Sequence, residues 1–319
     1  MSAQLYGLDM FGGSAAPKPS GPVAERFLFS PFTVLDAKQG EWLERKRAWL
    51  SIGLKSEVGR AKTLAGLVTI NHVQRTGNSS AGMVIDDNDE QQTKDGTSIF
   101  DPVLCELAYR WFCPPGGQVV DPFAGGSVRG IIAAQLGMDY WGCDLRPEQV
   151  EANRAQASTI CDERQPVWVC GDSMDTLAHA PSADYVFSCP PYGDLEVYSD
   201  DPADLSNMEW HTFVAAYKRI ILRAVSRLKN DRFACFVVGD FRDNKGFYRD
   251  FVSTTIRAFE ECGARLYNEA ILATPVGSAC MRVTKQFDAS RKMAKTHQNV
   301  LVFCKGDPRK AAAACKESA

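Results

Sequence analysis

Apolar and polar positions follow two different rhythms along this chain. In FTVLDAKQGEWLERKRAWLSIGLKSEVGR, the apolar residues Trp42, Leu43, Trp49, Leu50 and Leu54 recur at helical spacing, with Glu41, Glu44, Arg45, Lys46 and Arg47 between them. That spacing predicts a basic amphipathic helical segment over 23–73. Residues 1–22 are rich in Gly, Ser, Pro and Ala and predict a disordered leader, while 74–96 lose periodicity around an acidic block and predict a flexible linker. From residue 97 the rhythm becomes short apolar runs alternating with amphipathic ones. GQVVDPF, DYWGCDL, PVWVCGDS, DYVFSCPPY, RFACFVVGDF, ARLYNEAILATP and QNVLVFCKG read as strands. VRGIIAAQLG, RPEQVEANRAQAS, MEWHTFVAAYKRIILRAVSRL and GFYRDFVSTTIRAFEECG read as helices between them. This alternation predicts an α/β domain over 97–307, a mostly parallel seven-stranded sheet covered by helices on both faces, with 308–319 as a tail. Ligands of such sheets bind at the carboxyl ends of the strands.

Composition narrows the function classes. The chain of 319 residues has a formal net charge of -3, so any nucleic-acid contact must come from local basic patches. Its 11 cysteines include several in apolar runs such as FACFVV, where Cys acts as a small hydrophobe, which predicts a reducing cytoplasm and no disulfide framework. No CxxC or HxxxH spacing is present and the 4 histidines are scattered, so no metal is expected. The amino terminus lacks a signal-peptide pattern and no apolar run reaches membrane-spanning length, so no membrane association is expected.

The candidate chemistry falls just after the strands. DPFAGGSVRG follows the first: Gly125 and Gly126 permit a tight turn with close backbone approach, and the next helix offers unpaired N–H groups. The spacing GGSVRG departs from GxGxxG, so a dinucleotide phosphate cradle fits poorly. Asp144 closes the second strand, where a carboxylate accepts from ribose hydroxyls, and Asp172 closes the third, where it accepts from an adenine amino group. Either acid taken alone also reads as a helix cap. The fourth strand ends in Ser188-Cys189-Pro190-Pro191-Tyr192. Prolines there remove N–H donors and fix φ, keeping acceptors aimed one way, and Tyr192 adds a flat aromatic face.

These motifs together resemble the S-adenosylmethionine-dependent DNA amino methyltransferases, which methylate adenine N6 or cytosine N4. DPFAGGS resembles the family's cofactor loop, CPPY its catalytic tetrapeptide, TSIFDPVLCELAYRWFCPPGG the segment ahead of the loop, and THQNVLVFCKGD its last strand. With its VLDAKQGEWLERKRAWL segment the chain further resembles phage and prophage methylases, some of them parts of restriction-modification systems, which implies the cytoplasm of a bacterial host. The resemblance implies a Rossmann-like class I methyltransferase fold with a small helical N-terminal segment, S-adenosylmethionine as cofactor and DNA as partner. It implies a cofactor site of Ser98, Phe100, Asp101, Asp121, Pro122, Phe123, Ala124, Gly125, Gly126, Ser127, Asp144, Leu145, Asp172, Ser173 and Ser188, and catalysis at Cys189, Pro190, Pro191 and Tyr192. A homodimer is compatible with the sequence.

Cys189 departs from the family's Asp, Asn or Ser. Three readings stand: a small Ser-like residue that leaves orientation to the Pro190 carbonyl and Ser188, a thiolate nucleophile for cytosine C5, or a domain that binds cofactor with weak catalysis. An RNA or nucleotide substrate and a catalytically inactive DNA-binding relative are further alternatives. Arg282, Lys285, Arg291, Lys292 and Lys295 lie between the last two strands and are the candidate phosphate clamp. The Trp42 to Arg60 segment, which carries Arg45 and Arg47, suits either DNA contact or packing against the catalytic domain. Asp194 and Tyr198, in the acidic stretch after the tetrapeptide, are candidates to shape a base pocket.

Overall fold

The computed structural model describes residues 22–55, 100–193, 201–275 and 279–316. The chain opens with a short helix α1 (Pro22–Phe27), strand β1 (Val34–Asp36) and helix α2 (Gly40–Ser51). Helix α3 (Pro102–Phe112) leads into β2 (Gln118–Asp121), α4 (Val128–Gln135), β3 (Asp139–Asp144), α5 (Pro147–Ile160), β4 (Val167–Cys170), α6 (Ser173–Thr176) and β5 (Ala183–Ser188). Then come α7 (Trp210–Arg227), β6 (Leu228–Val238), α8 (Phe251–Glu261), β7 (Ala264–Ala273), α9 (Ala279–Ser290), β8 (His297–Lys305) and α10 (Pro308–Ala314).

The strands form one sheet in the order β1-β7-β8-β6-β5-β2-β3-β4. All neighbours are parallel except β8, which runs antiparallel to both β6 and β7. Leaving out β1, this is the strand order of the class I methyltransferase fold. The chain winds from β2 through β3 and β4 to one edge, then returns to place β5 on the other side of β2. That reversal makes the crevice outside the carboxyl ends of β2 and β5 the topological switch point.

Central strands buried on both faces read as unbroken apolar runs, and their side chains alternate between two cores. Tyr185, Phe187, Phe233, Cys235 and Val237 join one core with α2, α3 and α4; Val186, Ala234, Phe236 and Val238 join the other with α7 and α8. The stripe Phe213, Tyr217, Ile220, Ile221, Ala224 and Val225 explains why α7 lies along the second face. Helix α3 is fixed at its start by Asp101, whose side chain accepts from the Val103 and Leu104 backbone N–H groups, with Pro102 at the first helical position.

Two expectations change. The sheet has eight strands, because Val34, Leu35 and Asp36 pair with Ile271, Leu272 and Ala273 and extend it at the β7 edge. Residues 308–314 are a capped helix and not a tail: Asp307 accepts from Arg309 N at 2.8 Å, and Ala311 is buried in the first core. The N-terminal segment is likewise packed onto the domain. Trp42 Nε1 donates to Asp101, and Glu106 of α3 accepts from Arg45 Nε at 2.6 Å, Trp49 Nε1 at 2.7 Å and Arg110 Nε at 2.8 Å. Burial alone pushes the Glu106 carboxyl up, and the Arg45 and Arg110 charges outweigh it and hold it below its ordinary range. The leader up to residue 21 and the 74–96 linker lie outside the described residues.

Candidate active site

The site is organised around a buried ion pair. Asp121 ends β2 with no exposure, and Arg129 stands in the first turns of α4, nearly buried. Arg129 Nε donates to Asp121 Oδ2 at 2.6 Å, and Nη2 donates to the carbonyls of Phe123 at 2.5 Å and Ala124 at 2.9 Å. Burial would lower the guanidinium's proton affinity, but the adjacent Asp121 charge raises it further, so Arg129 stays charged. Its guanidinium carbon also lies 4.7 Å from the centre of the Phe100 ring. Asp121 accepts in addition from Tyr140 Oη at 2.8 Å, Phe123 N at 3.1 Å and Ser188 Oγ at 2.5 Å. The loop carbonyls are thus turned inward onto Arg129.

Gly125 follows with φ +51, and a Cβ there would meet no atom within 4 Å, so the loop backbone is open at this residue. Its N–H donates to Asp144 Oδ2 at 3.0 Å, while Asn153 Nδ2 on α5 donates to its carbonyl at 2.7 Å. Asp144 Oδ1 accepts from Arg146 N at 3.0 Å. Leu145 is half-buried beside it. Asp172 Oδ1 accepts from Met174 N at 2.8 Å and caps α6, so the cap reading of this acid is realised at a strand end beside the crevice.

Several expected ligands are engaged with the protein itself. Asp121 and Ser188 are buried and bonded to each other; Ser127 Oγ donates to Gln156 Oε1 at 2.5 Å, also buried. Ser173 Oγ donates to the Pro122 carbonyl at 2.5 Å. Asp101 serves the α3 cap and Trp42, and Phe123 packs on Tyr217 and Phe236. These residues shape the loop from behind. Ser98, Asp194, Tyr198 and the Arg282 side chain lie outside the described residues.

At the end of β5, Cys189 is half-buried against the first core and Pro190 is buried. Tyr192 is half-buried, its ring set edge-on to Phe241 at 6.4 Å and Phe251 at 6.1 Å, and its hydroxyl accepts from Gln298 Nε2 at 2.9 Å. Lys295 belongs here too. Its Cε and Tyr192 Cε1 flank the same point above Gly239, at 3.4 and 3.8 Å. Lys295 Nζ lies 3.1 Å from His297 Nε2. Burial pushes the Lys295 amine down, against the pull of Asp240; burial and the Lys295 charge both push His297 below its ordinary value. Lys285 and Arg291 are exposed on and just after α9, and Lys292 lies over Gly246. Arg47 is exposed, whereas Arg45 is committed to Glu106 and leaves the expected basic stripe.

Sequence reading missed Arg129, Tyr140, Asn153 and the aromatic wall of Phe241, Phe251 and Trp210 behind Tyr192. One signal was available for Arg129: it is the single charge in the otherwise apolar run of α4, and a charge there needs a buried partner.

No family model matches this chain, and no curated protein matches it. Solved structures do. TrmN from Thermus thermophilus is 15% identical over 65% of this chain and 49% of its own, with a TM-score of 0.44. Precorrin-6y C5,15-methyltransferase from Geobacter metallireducens is 13% identical over 70% of this chain and 99% of its own, TM-score 0.44. Magnesium protoporphyrin IX methyltransferase from Synechocystis PCC 6803, solved with bound SAM, is 14% identical over 60% of this chain and 71% of its own, TM-score 0.40. These likenesses concern the fold, which the strand order establishes on its own. Among the described residues no group of His, Cys, Asp or Glu is placed to hold a metal, and no helix is long and apolar enough to cross a membrane.

Proposed function

We propose that this chain transfers a methyl group from S-adenosylmethionine to an exocyclic amine of a DNA base, cytosine N4 or adenine N6. The observation that carries this reading is the Ser188 to Asp121 hydrogen bond of 2.5 Å, which locks the CPPY turn beside the glycine loop across the switch point. The donor set fits the cofactor: Gly125 offers open backbone, and Asp144 and Asp172 stand at the ends of β3 and β4. S-adenosylmethionine, when bound, supplies an electrophilic methyl sulfonium.

The protein's own part is positioning. An exocyclic amine is conjugated into its ring and is a poor nucleophile, so acceptors must hold its N–H groups and aim its lone pair. The Pro190 carbonyl and the side chain at Cys189 take that role, on a turn made rigid by two prolines. Tyr192, braced by Phe241 and Phe251 and held by Gln298, is the surface for a base turned out of its stack. The test is to incubate the chain with labelled cofactor and either mixed DNA or mixed RNA, digest to nucleosides and identify the product by mass. N4-methylcytosine or N6-methyladenine is expected; 5-methylcytosine selects the Cys189 nucleophile, and label in RNA alone removes the DNA reading.

A further inference from the structure

Between β6 and α8 the chain makes a small hairpin that the tetrapeptide chemistry does not use. Arg242 and Tyr248 form an antiparallel bridge, Asp243 N donates to the Phe247 carbonyl at 2.8 Å, and Arg249 N donates to the Phe241 carbonyl at 2.9 Å. The tip is stiffened from within. Asp243 Oδ1 accepts from the N–H groups of Lys245 and Phe247, both at 2.9 Å, and Gly246 takes φ +94. Those N–H groups hold the Asp243 carboxylate below its ordinary pKa and therefore charged, and within 241–249 it is outnumbered by Arg242, Lys245 and Arg249.

What the hairpin displays is aromatic and basic. Phe247 is 72% exposed at the tip, Tyr248 is exposed beside it, and the Arg242 guanidinium lies 4.0 Å from the Tyr248 ring centre. Lys292 crosses from the segment after α9 to cover Gly246, where a Cβ would stand 2.6 Å from its Cε and Nζ, and Met293 is 72% exposed next to it. The base of the hairpin is continuous with the proposed base site: Phe241 packs against Tyr192, and a Cβ at Gly239 would stand 3.8 Å from its ring.

We infer that this hairpin is a docking surface for duplex DNA, with Phe247 as a wedge that enters the base stack beside the extruded nucleotide while Arg242, Lys245 and Lys292 face the phosphates. The inference rests on the base-methylation reading and adds its substrate form. A base leaving a duplex opens a gap, an apolar side chain on a stiff loop fills it, and flanking cations offset the phosphate charge. A largely exposed Phe on a self-stapled turn pays little backbone ordering entropy on insertion.

The test measures anisotropy of a fluorescein-labelled mixed-sequence duplex, single strand and RNA duplex with the full chain at graded salt. Phe247→Ala should weaken duplex binding roughly tenfold and Phe247→Trp should restore it, since a stacked ring contributes about 1–3 kcal/mol. Lys245→Ala and Lys292→Ala should each reduce the salt slope by about one. The inference is overturned if these variants bind duplex like the parent, if F247A loses single-strand affinity equally, if the RNA duplex is preferred, or if the variants only break a self-association of the chain. Nucleoside analysis of the same proteins separates the two readings. Duplex binding through Phe247 without any methylated base sinks the methylation reading and leaves the surface; DNA methylation unchanged in F247A sinks the surface alone.

Discussion

Asp121 and Arg129 show how one buried pair can fix a glycine loop from behind. The carboxylate accepts hydrogen bonds from Arg129, Tyr140, Phe123 and Ser188, and the guanidinium holds two loop carbonyls. Replacing Arg129 by Met leaves Asp121 buried without its counter-charge, which should cost about 3–5 kcal/mol in urea unfolding. Methyl transfer should fall with it, and R129M/D121N should recover part of the stability; an R129M midpoint equal to the parent's would remove the pair from this role. Cys189 is a separate question, because the proposed function puts it beside the target amine. Cys189→Ser should keep kcat within roughly tenfold if the residue is a small acceptor, whereas loss of a covalent nucleophile costs on the order of 10⁴ or more. The sequence made the loop, the acids and the tetrapeptide legible because each is a local pattern. It hid which of those side chains face the crevice: Asp121, Ser127, Ser173 and Ser188 sit in the motifs yet bond inward, and that depends on Arg129 and Gln156 arriving from α4 and α5.

Among the elements, the contact of α2 with α3 carries the next prediction. Glu106 stands alone among apolar residues in LCELAY; Arg110 is one helical turn away, but Arg45 and Trp49 lie about sixty positions earlier, a separation no helical periodicity reaches. The basic stripe of α2 therefore reads from sequence as a DNA face, although Arg45 is drawn down to Glu106 and the tryptophans fill the core. Because its folded pKa lies below the ordinary 4.5, Glu106 contributes stability that is present above pH 4.5 and is lost as pH falls through the folded value. Glu106→Gln should lower stability by about 3 kcal/mol at neutral pH and flatten the acid limb of the stability profile. Equal urea midpoints for parent and variant from neutral pH down to pH 4 would refute this.

At the scale of the whole molecule, the periodicity of strands and helices makes the seven-stranded core readable, since parallel strands buried on both faces must be apolar throughout. The eighth strand is not readable, because Val34, Leu35 and Asp36 show no more than a three-residue run and their partner β7 lies far along the chain. This placement turns the N-terminal segment from an accessory into part of the fold. Strand β1 closes the β7 edge, Trp42 and Trp49 are buried, and Gln156 donates to the Lys55 carbonyl at 2.7 Å. A chain starting at residue 56 would expose the apolar side of α3, leave Glu106 without Arg45 and Trp49, and bare the edge of β7 for pairing with other chains. Each lost tryptophan contact removes about 3–5 kcal/mol, which together approaches the whole stability of an ordinary domain. The truncated protein should therefore aggregate or melt well below the full chain, even though it retains the glycine loop and the CPPY turn. A soluble monomer with the parent's Tm in scanning calorimetry would show instead that the α/β domain stands without its N-terminal strap.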